Sequence, residues 1–280
     1  MENWQIGVFT SVGAGLGLDL NLAGEMGLPT IQLHAPPVGQ RDQASADKIL
    51  ATLAPYGISI TAVVGGFEGE SYASIPIVVD TVGLMPPATR QKRLQEMCEI
   101  SDFAKMIGCD VIGLHLGFVP HDTADPAYQE IIEVTQQLCQ HAKNNGQAVH
   151  LETGQETAEA LVAFIGDTKC DNLFVNFDPA NMILYGAGNP IEAVEKIGSL
   201  IRSVHCKDAK WAANPGQEWG EETRLGDGDV GMKLFLQTLQ KVGYTGPLTI
   251  EREIPQTPEK QHAEIGHAVE LLKQLKQELM

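Results

Sequence analysis

Four stretches of this chain end an apolar, β-rich run in a side chain able to bind a metal or move a proton. QAVHLE ends in Glu152, LFVNFD in Asp178, RSVH in His205 and GPLTIE in Glu251. A strand built for a dry interior has no structural need of a carboxylate at its end. Carboxylates converging at a dry rim raise one another's pKa strongly unless a positive charge sits among them. A divalent cation meets that need directly. Three carboxylates and one imidazole make a hard, oxygen-rich donor set, suited to one ion of Mn²⁺, Mg²⁺ or Co²⁺, with Zn²⁺ also compatible. Two residues before each of the four stand His150, Asn176, Ser203 and Thr249. Strand alternation puts them on the same inward face, as a polar layer able to orient the ligands.

A plainer reading competes. One acidic residue after a strand is commonly a helix N-cap or a solvated loop residue, and Asp178 before Pro179 has the look of a cap. Four such groups on consecutive runs are harder to dismiss.

The elements that must position them alternate along the chain. Candidate strands are Gln5–Phe9, Thr30–His34, Ser59–Gly65, Asp110–Leu116, Gln147–Glu152, Leu173–Asp178, Arg202–His205 and Pro247–Glu251. Helical patterns lie between them, among them Arg90–Ile107, Ala127–Lys143 and Pro258–Leu279, with Gly108 and Gly146 placed to cap helix ends. Strict alternation implies parallel strands with crossover helices. Eight units in 280 residues predict an α/β fold, one (β/α)8 barrel domain over 1–280 with its site at the C-terminal strand ends. The alternative is a doubly wound open sheet, but the turn Phe9–Gly17 has glycines at 13, 15 and 17 without GxGxxG. Two long connections, Gly66–Ala88 and Ala209–Asp229, follow strand ends on the site face and read as lids.

Composition narrows the class. Asp and Glu number 36 against 19 Lys and Arg, a formal net charge of -17. That balance disfavours nucleic acid and anionic membranes as partners. Five scattered cysteines without a CxxC pair read as free thiols of a reducing compartment. No signal-like N-terminus and no long apolar run is visible, so the expected location is cytoplasmic.

On these residues the chain resembles the xylose isomerase-like barrel superfamily, in its sugar phosphate isomerase/epimerase branch. That branch includes tagatose 3-epimerase-like, inosose dehydratase-like and hydroxypyruvate isomerase-like enzymes. The matching segments are HLETG, NFDPANM, SVHCKDA, LGDGDV and GYTGPLTIE, in the family's order over the second half of the chain, with TVGLMPPATRQKRL from Thr81 before them. The resemblance implies that Glu152, Asp178, His205 and Glu251 bind one divalent metal, Mn²⁺ foremost, and that Glu152 and Glu251 are the acid/base pair. It implies a metal-dependent sugar isomerase or epimerase of carbohydrate metabolism, moving a proton through a metal-bound enediolate. Many relatives read Asp-x-x-His at strand six, where this chain has Asp178 and Asn181. That departure counts against the further metals of the related endonuclease IV enzymes.

Other polar residues near the strand ends are candidates for substrate contact: His115, Gln155, Glu156, Lys207, Asp208 and Arg224. Each has a plainer role open to it. His115 and His34 suit packed, hydrogen-bonded histidines, Lys207 and Arg224 suit solvent, and Gln155, Glu156 and Asp208 suit helix starts or caps. Trp211 and Trp219 read as an aromatic wall or a subunit contact. His121, His141, His262 and His267 read as structural. The expected partner is a small sugar or polyol, with homo-oligomerisation open. Alternatives are an inosose dehydratase-like lyase on a cyclic polyol ketone, an endonuclease IV-like DNA hydrolase, or a non-catalytic sugar-binding barrel.

Overall fold

A computed structural model describes residues 4–12, 17–255 and 257–279. The glycines at 13 and 15 noted above lie outside them. Among the described residues ten strands follow in order: β1 (Ile6–Ser11), β2 (Thr30–His34), β3 (Ser59–Gly65), β4 (Val111–Leu114), β5 (Ala148–Glu152), β6 (Leu173–Phe177), β7 (Ile201–Cys206), β8 (Asp208–Lys210), β9 (Glu221–Thr223) and β10 (Leu248–Ile250). Eight of them close a parallel barrel in the order β1-β10-β7-β6-β5-β4-β3-β2. The seam is the pairing of Ile6 with Leu248 and Val8 with Ile250. β8 and β9 form a separate antiparallel hairpin.

The helices are α1 (Leu20–Glu25), α2 (Gln43–Leu53), α3 (Ile75–Thr81), α4 (Arg90–Met106), α5 (Pro126–Asn144), α6 (Ala158–Thr168), α7 (Pro179–Tyr185), α8 (Pro190–Ile197), α9 (Met232–Lys241) and α10 (Pro258–Leu279). Several begin where the sequence supplies a capping side chain. Asp125 accepts the Ala127 amide at 2.8 Å ahead of Pro126, and Thr157 accepts the Ala160 amide at 3.3 Å. Gly108 and Gly146 carry φ of +73° and +77° past α4 and α5, as helix termination there requires. α3 and α7 are additions to strict alternation, lying in the connections after β3 and β6.

Alternation along the strands splits the core in two. Val149, Leu151, Val175, Phe177, Val204, Cys206, Leu248 and Ile250 are buried in the principal apolar cluster with the helices. Each such side chain contributes on the order of 1.5–3 kcal/mol by leaving water. The barrel interior is mixed. Phe9, Ala62 and Val64 form a small apolar cluster. Across from them lie His150, Asn176, Ser203 and Thr249, all buried, with His150 Nδ1 2.8 Å from Ser203 Oγ. The polar layer read from the sequence is therefore present under the C-terminal rim.

Both long connections have structure of their own. The first contains α3 and is pinned by Glu70, whose carboxylate accepts the amides of Phe67 at 3.0 Å and Gly83 at 2.7 Å. Arg93 donates to the carbonyls of Thr81 and Gly83, each at 2.7 Å, from beneath. The second contains the β8–β9 hairpin. No described helix is long and apolar enough to cross a membrane.

Candidate functional site

The barrel brings the four strand-end groups together. One ligand atom each from Glu152, Asp178, His205 and Glu251 lies within 4.8 Å of the others. His205 is the hub. Its Nδ1 is 3.1 Å from Glu152 Oε1, 3.1 Å from Glu251 Oε2 and 3.4 Å from Asp178 Oδ2. Its Nε2 donates to Gln32 Oε1 at 2.8 Å. The ring's other nitrogen is thereby turned to the centre.

Asp178 answers to both readings made of it. Oδ1 accepts the amides of Ala180 at 2.8 Å and Asn181 at 2.9 Å and so caps α7. Oδ2 is fully buried with no hydrogen-bond partner. Burial pushes the Asp178 carboxyl up to about 6 despite the opposing pull of His205 and Lys207. An orphaned carboxylate oxygen facing an imidazole and two more carboxylates describes a centre short of positive charge. Three oxygens and one nitrogen are a donor set that suits a hard or borderline divalent cation. The residues present fit such an ion.

The two glutamates differ from the other pair in access. Glu152 and Glu251 line a cleft of about 260 Å³ at the barrel mouth, whereas Asp178 and His205 lie beneath its lining. Burial raises the Glu152 carboxyl, but the His115 and His205 imidazoles outweigh it and hold the group below its ordinary value. Burial likewise opposes ionisation of Glu251, yet Lys207 and His205 bring it well below the usual carboxylate range. The same carboxylates hold His205 well above an ordinary imidazole against the cost of its burial.

The second-rank candidates separate. His115, one residue past β4, lines the cleft with Nε2 3.6 Å from Glu152 Oε2. Gln155 is buried behind it, its Nε2 3.4 Å from His115 Nδ1 and donating to Tyr185 Oη at 3.2 Å. Glu156 is buried and accepts the Val119 amide at 3.0 Å. Lys207 is 2% exposed and lies below the lining, not in solvent. Its Nζ donates to Glu253 Oε1 at 2.6 Å and Glu251 Oε2 at 3.2 Å.

Asp208 and Arg224 are not brought into the cleft. Asp208 accepts the amides of Ala209, Gly226, Gly228 and Val230 between 2.9 and 3.1 Å and so anchors the LGDGDV loop. A Cβ at Gly228 would stand 2.2 Å from Asp208 Oδ1, so only glycine lets the loop close this tightly. Arg224 is half-exposed and pairs with Asp227 at 3.0 Å. Trp219 forms part of the cleft wall, in edge contact with Tyr185 at 4.5 Å between ring centroids; Trp211 stands outside. His34 also lines the cleft, its Nδ1 donating to the Ala35 carbonyl at 3.0 Å.

Several residues at the site were not expected there from the sequence. Gln32 sits on β2, across the barrel from His205. Asn181 Nδ2 donates to Glu152 Oε1 at 3.1 Å, so the residue at the Asp-x-x-His position supports the first centre instead of building another. Glu222 on the hairpin accepts from Arg252 at 2.7 Å and from the Glu253 amide at 3.0 Å, tying the hairpin to the segment after Glu251.

A closed parallel barrel with a carboxylate–imidazole cluster at its C-terminal strand ends defines the class: an α/β barrel protein with a candidate metal centre. The chain belongs to the xylose isomerase-like TIM barrel family, whose profile matches residues 20–275. It is 54% identical to a xylose isomerase domain protein from Planctomyces limnophilus, covering 99% of this chain and 98% of that one with a TM-score of 0.96. A xylose isomerase-like TIM barrel protein from Mycobacterium smegmatis in complex with magnesium shares the fold at 19% identity, TM-score 0.71 and 98% coverage of each chain. A D-tagatose 3-epimerase-like protein does so at 17% identity, TM-score 0.73, covering 99% of this chain and all of that one. An uncharacterised protein of Methanocaldococcus jannaschii is 26% identical over 192 residues, 60% of each chain. An inosose dehydratase of Clostridium botulinum is 28% identical over 115 residues, 37% of this chain and 38% of that one. The chain thus aligns with about 60% or less of the length of these two curated relatives.

Proposed function

We propose that the protein is a divalent-metal-dependent isomerase or epimerase that moves a proton beside the carbonyl of a small sugar or polyol. The observation that carries this reading is the difference in access. Of the four converging groups, the two glutamates face the cleft and the other two are sealed beneath them. Glu152, Asp178, His205 and Glu251 would hold the ion, Mn²⁺ foremost. A divalent cation at this position supplies Lewis acidity, polarising a carbonyl and acidifying the adjacent C–H.

The chain's own groups supply the rest. Glu152 and Glu251 reach the centre from strands separated by β6 and β7, so two carboxylates flank whatever occupies the space between. Both are held ionised by neighbouring cations or imidazoles, so either can accept a proton, and polarisation of the carbonyl by the cation would offset their weak basicity. One, ionised, takes the C–H proton. Inversion then needs the other to carry a proton drawn from solvent and to deliver it to the opposite face of the same carbon. Aldose–ketose interconversion needs only the first, which gives its proton to the neighbouring carbon while the hydroxyl proton passes to the former carbonyl oxygen. His115, against Glu152, and Asn181, both in the cleft lining, would hold substrate hydroxyls.

A lyase reading shares the abstraction step and ends in loss of a β-hydroxyl as water. It is favoured by the segment shared with an inosose dehydratase. The test is incubation in D₂O with Mn²⁺ and a panel of ketoses, aldoses and inososes, followed by NMR. Deuterium entering beside the carbonyl without loss of water supports the isomerase or epimerase reading. A dehydrated product moves the assignment to the lyase, and no exchange across the panel removes both.

A further inference from the structure

The charges around the cleft bear on which substrates it admits. Recognition of a phosphate or carboxylate ester calls for an unspent guanidinium, an ammonium group or a fork of free amides. Among the described residues lining the cleft, the one Lys or Arg is Arg252. It is committed twice, to Glu222 at 2.7 Å and to Glu264 at 3.3 Å. Lys207 lies behind the wall at 2% exposure, with Glu253, Glu251 and Glu222 at 2.6, 3.2 and 3.9 Å.

Negative charge, by contrast, is in surplus. Glu70, Glu222 and Glu253 line the cleft beside the two centre glutamates. At the centre itself three carboxylates exceed the charge of a divalent ion by one. In a concave site such an imbalance is focused rather than screened. What else lines the cleft is the Asn181 side chain, bonded to Glu152, the His34 and His115 rings, and the faces of Phe9, Tyr72, Tyr185 and Trp219. Ring faces and neutral hydrogen-bonding groups match the C–H faces and hydroxyls of a sugar.

We infer that the cleft takes an uncharged polyhydroxy aldehyde or ketone and rejects the phosphorylated and carboxylated forms of the same skeleton. This rests on the proton-transfer reading for the identity of the cleft as the substrate site. Its basis is that, among the described residues, Arg252 in the cleft wall and Lys207 behind it are both already paired with protein carboxylates.

The experiment uses the Mn²⁺-loaded full chain and matched probes: D-fructose against its 1- and 6-phosphates, and D-ribulose against D-ribulose 5-phosphate. Binding is read by quenching of Trp219, against a Trp219→Phe control. Each neutral sugar is expected to bind about tenfold or more tightly than its ester, the scale set by one or two uncompensated charges at this range. Glu253→Gln, which takes from Lys207 its 2.6 Å carboxylate partner, is expected to narrow that gap several-fold. An ester binding as tightly as its neutral partner overturns the inference, as does failure of both neutral sugars to bind. Solvent-deuterium exchange on the same mixtures is scored separately. Exchange on an ester would keep the proton-transfer reading and end the charge selection; neutral binding without exchange in either sugar would do the reverse.

Discussion

Gln32 accepts the Nε2–H of His205 at 2.8 Å from across the barrel, and that bond decides which ring nitrogen faces the centre. Nδ1 then points at Glu152, Asp178 and Glu251, sharing a proton with them in the metal-free chain; a bound cation would displace that proton and take the lone pair. Replacing Gln32 by Leu removes the acceptor and lets the ring turn. Loss of such an orienting partner lowers metal affinity by about 10–100-fold. Competition with a chelator for Mn²⁺ measures this directly, and unchanged affinity would show that the ring needs no such guide.

Asp178 does two jobs with two oxygens, so two substitutions separate them. Asp178→Asn keeps an oxygen for the α7 cap and removes the carboxylate, so metal-free stability should hold while the rise in Tm on adding Mn²⁺ disappears. Asp178→Ala loses the cap as well, at a cost of about 1 kcal/mol in the metal-free protein. Urea titration of both variants with and without Mn²⁺ checks the pattern. A full metal-induced shift in Asp178→Asn would reduce the residue to a cap.

Lys207 is a buried cation among carboxylates, and removing one partner of such a set leaves charge without compensation. Lys207→Met is expected to destabilise the fold by about 3–5 kcal/mol. It should also weaken Mn²⁺ binding, because Glu251 loses the ammonium that orients it. Lys207→Arg should recover part of the stability. Denaturation midpoints and metal affinity for the two variants test this, and a neutral effect of Met on both would contradict it.

Glu156 carries a pH signature. Burial raises its carboxyl to about 7 from an ordinary value of 4.5. Between those values the folded chain keeps a proton that the unfolded chain has shed. Stability present below about pH 4.5 is therefore lost as pH rises through about 7, by up to about 3 kcal/mol. Glu156→Gln should abolish this loss, making the variant relatively more stable at pH 8 than at pH 5. Urea midpoints at the two pH values decide it, and parallel pH dependence in both proteins would contradict it.

The division between what the sequence disclosed and what it hid has a physical pattern. Glu152, Asp178, His205 and Glu251 were legible because each ends an apolar run, and a polar side chain there breaks the local rule for a dry strand. The barrel was legible from the alternation itself, with β2, β3 and α10 falling at the expected residues. Gln32 was hidden because its role depends on closure, which sets it beside a histidine 173 positions later. Asn181 was read as a missing ligand, and its amide bond to Glu152 appears only once α7 is in place. Asp208 and Arg224 were expected near substrate because they follow the ligand strand. The chain leaves the barrel at that point to form the β8–β9 hairpin, which turns them to the LGDGDV loop and to Asp227. Lys207, expected at the substrate or in solvent, lies beneath the wall because carboxylates from two separate segments, Glu222 and Glu251–Glu253, close over it.

The account stands on a single ion gripped by four side chains. Crystals soaked in Mn²⁺ and measured at the manganese absorption edge give an anomalous map that tests it. One peak is expected, about 2.0–2.3 Å from a carboxylate oxygen of Glu152, Asp178 and Glu251 and from Nδ1 of His205. A map without a peak among those atoms, or with the ion held elsewhere on the chain, would contradict it.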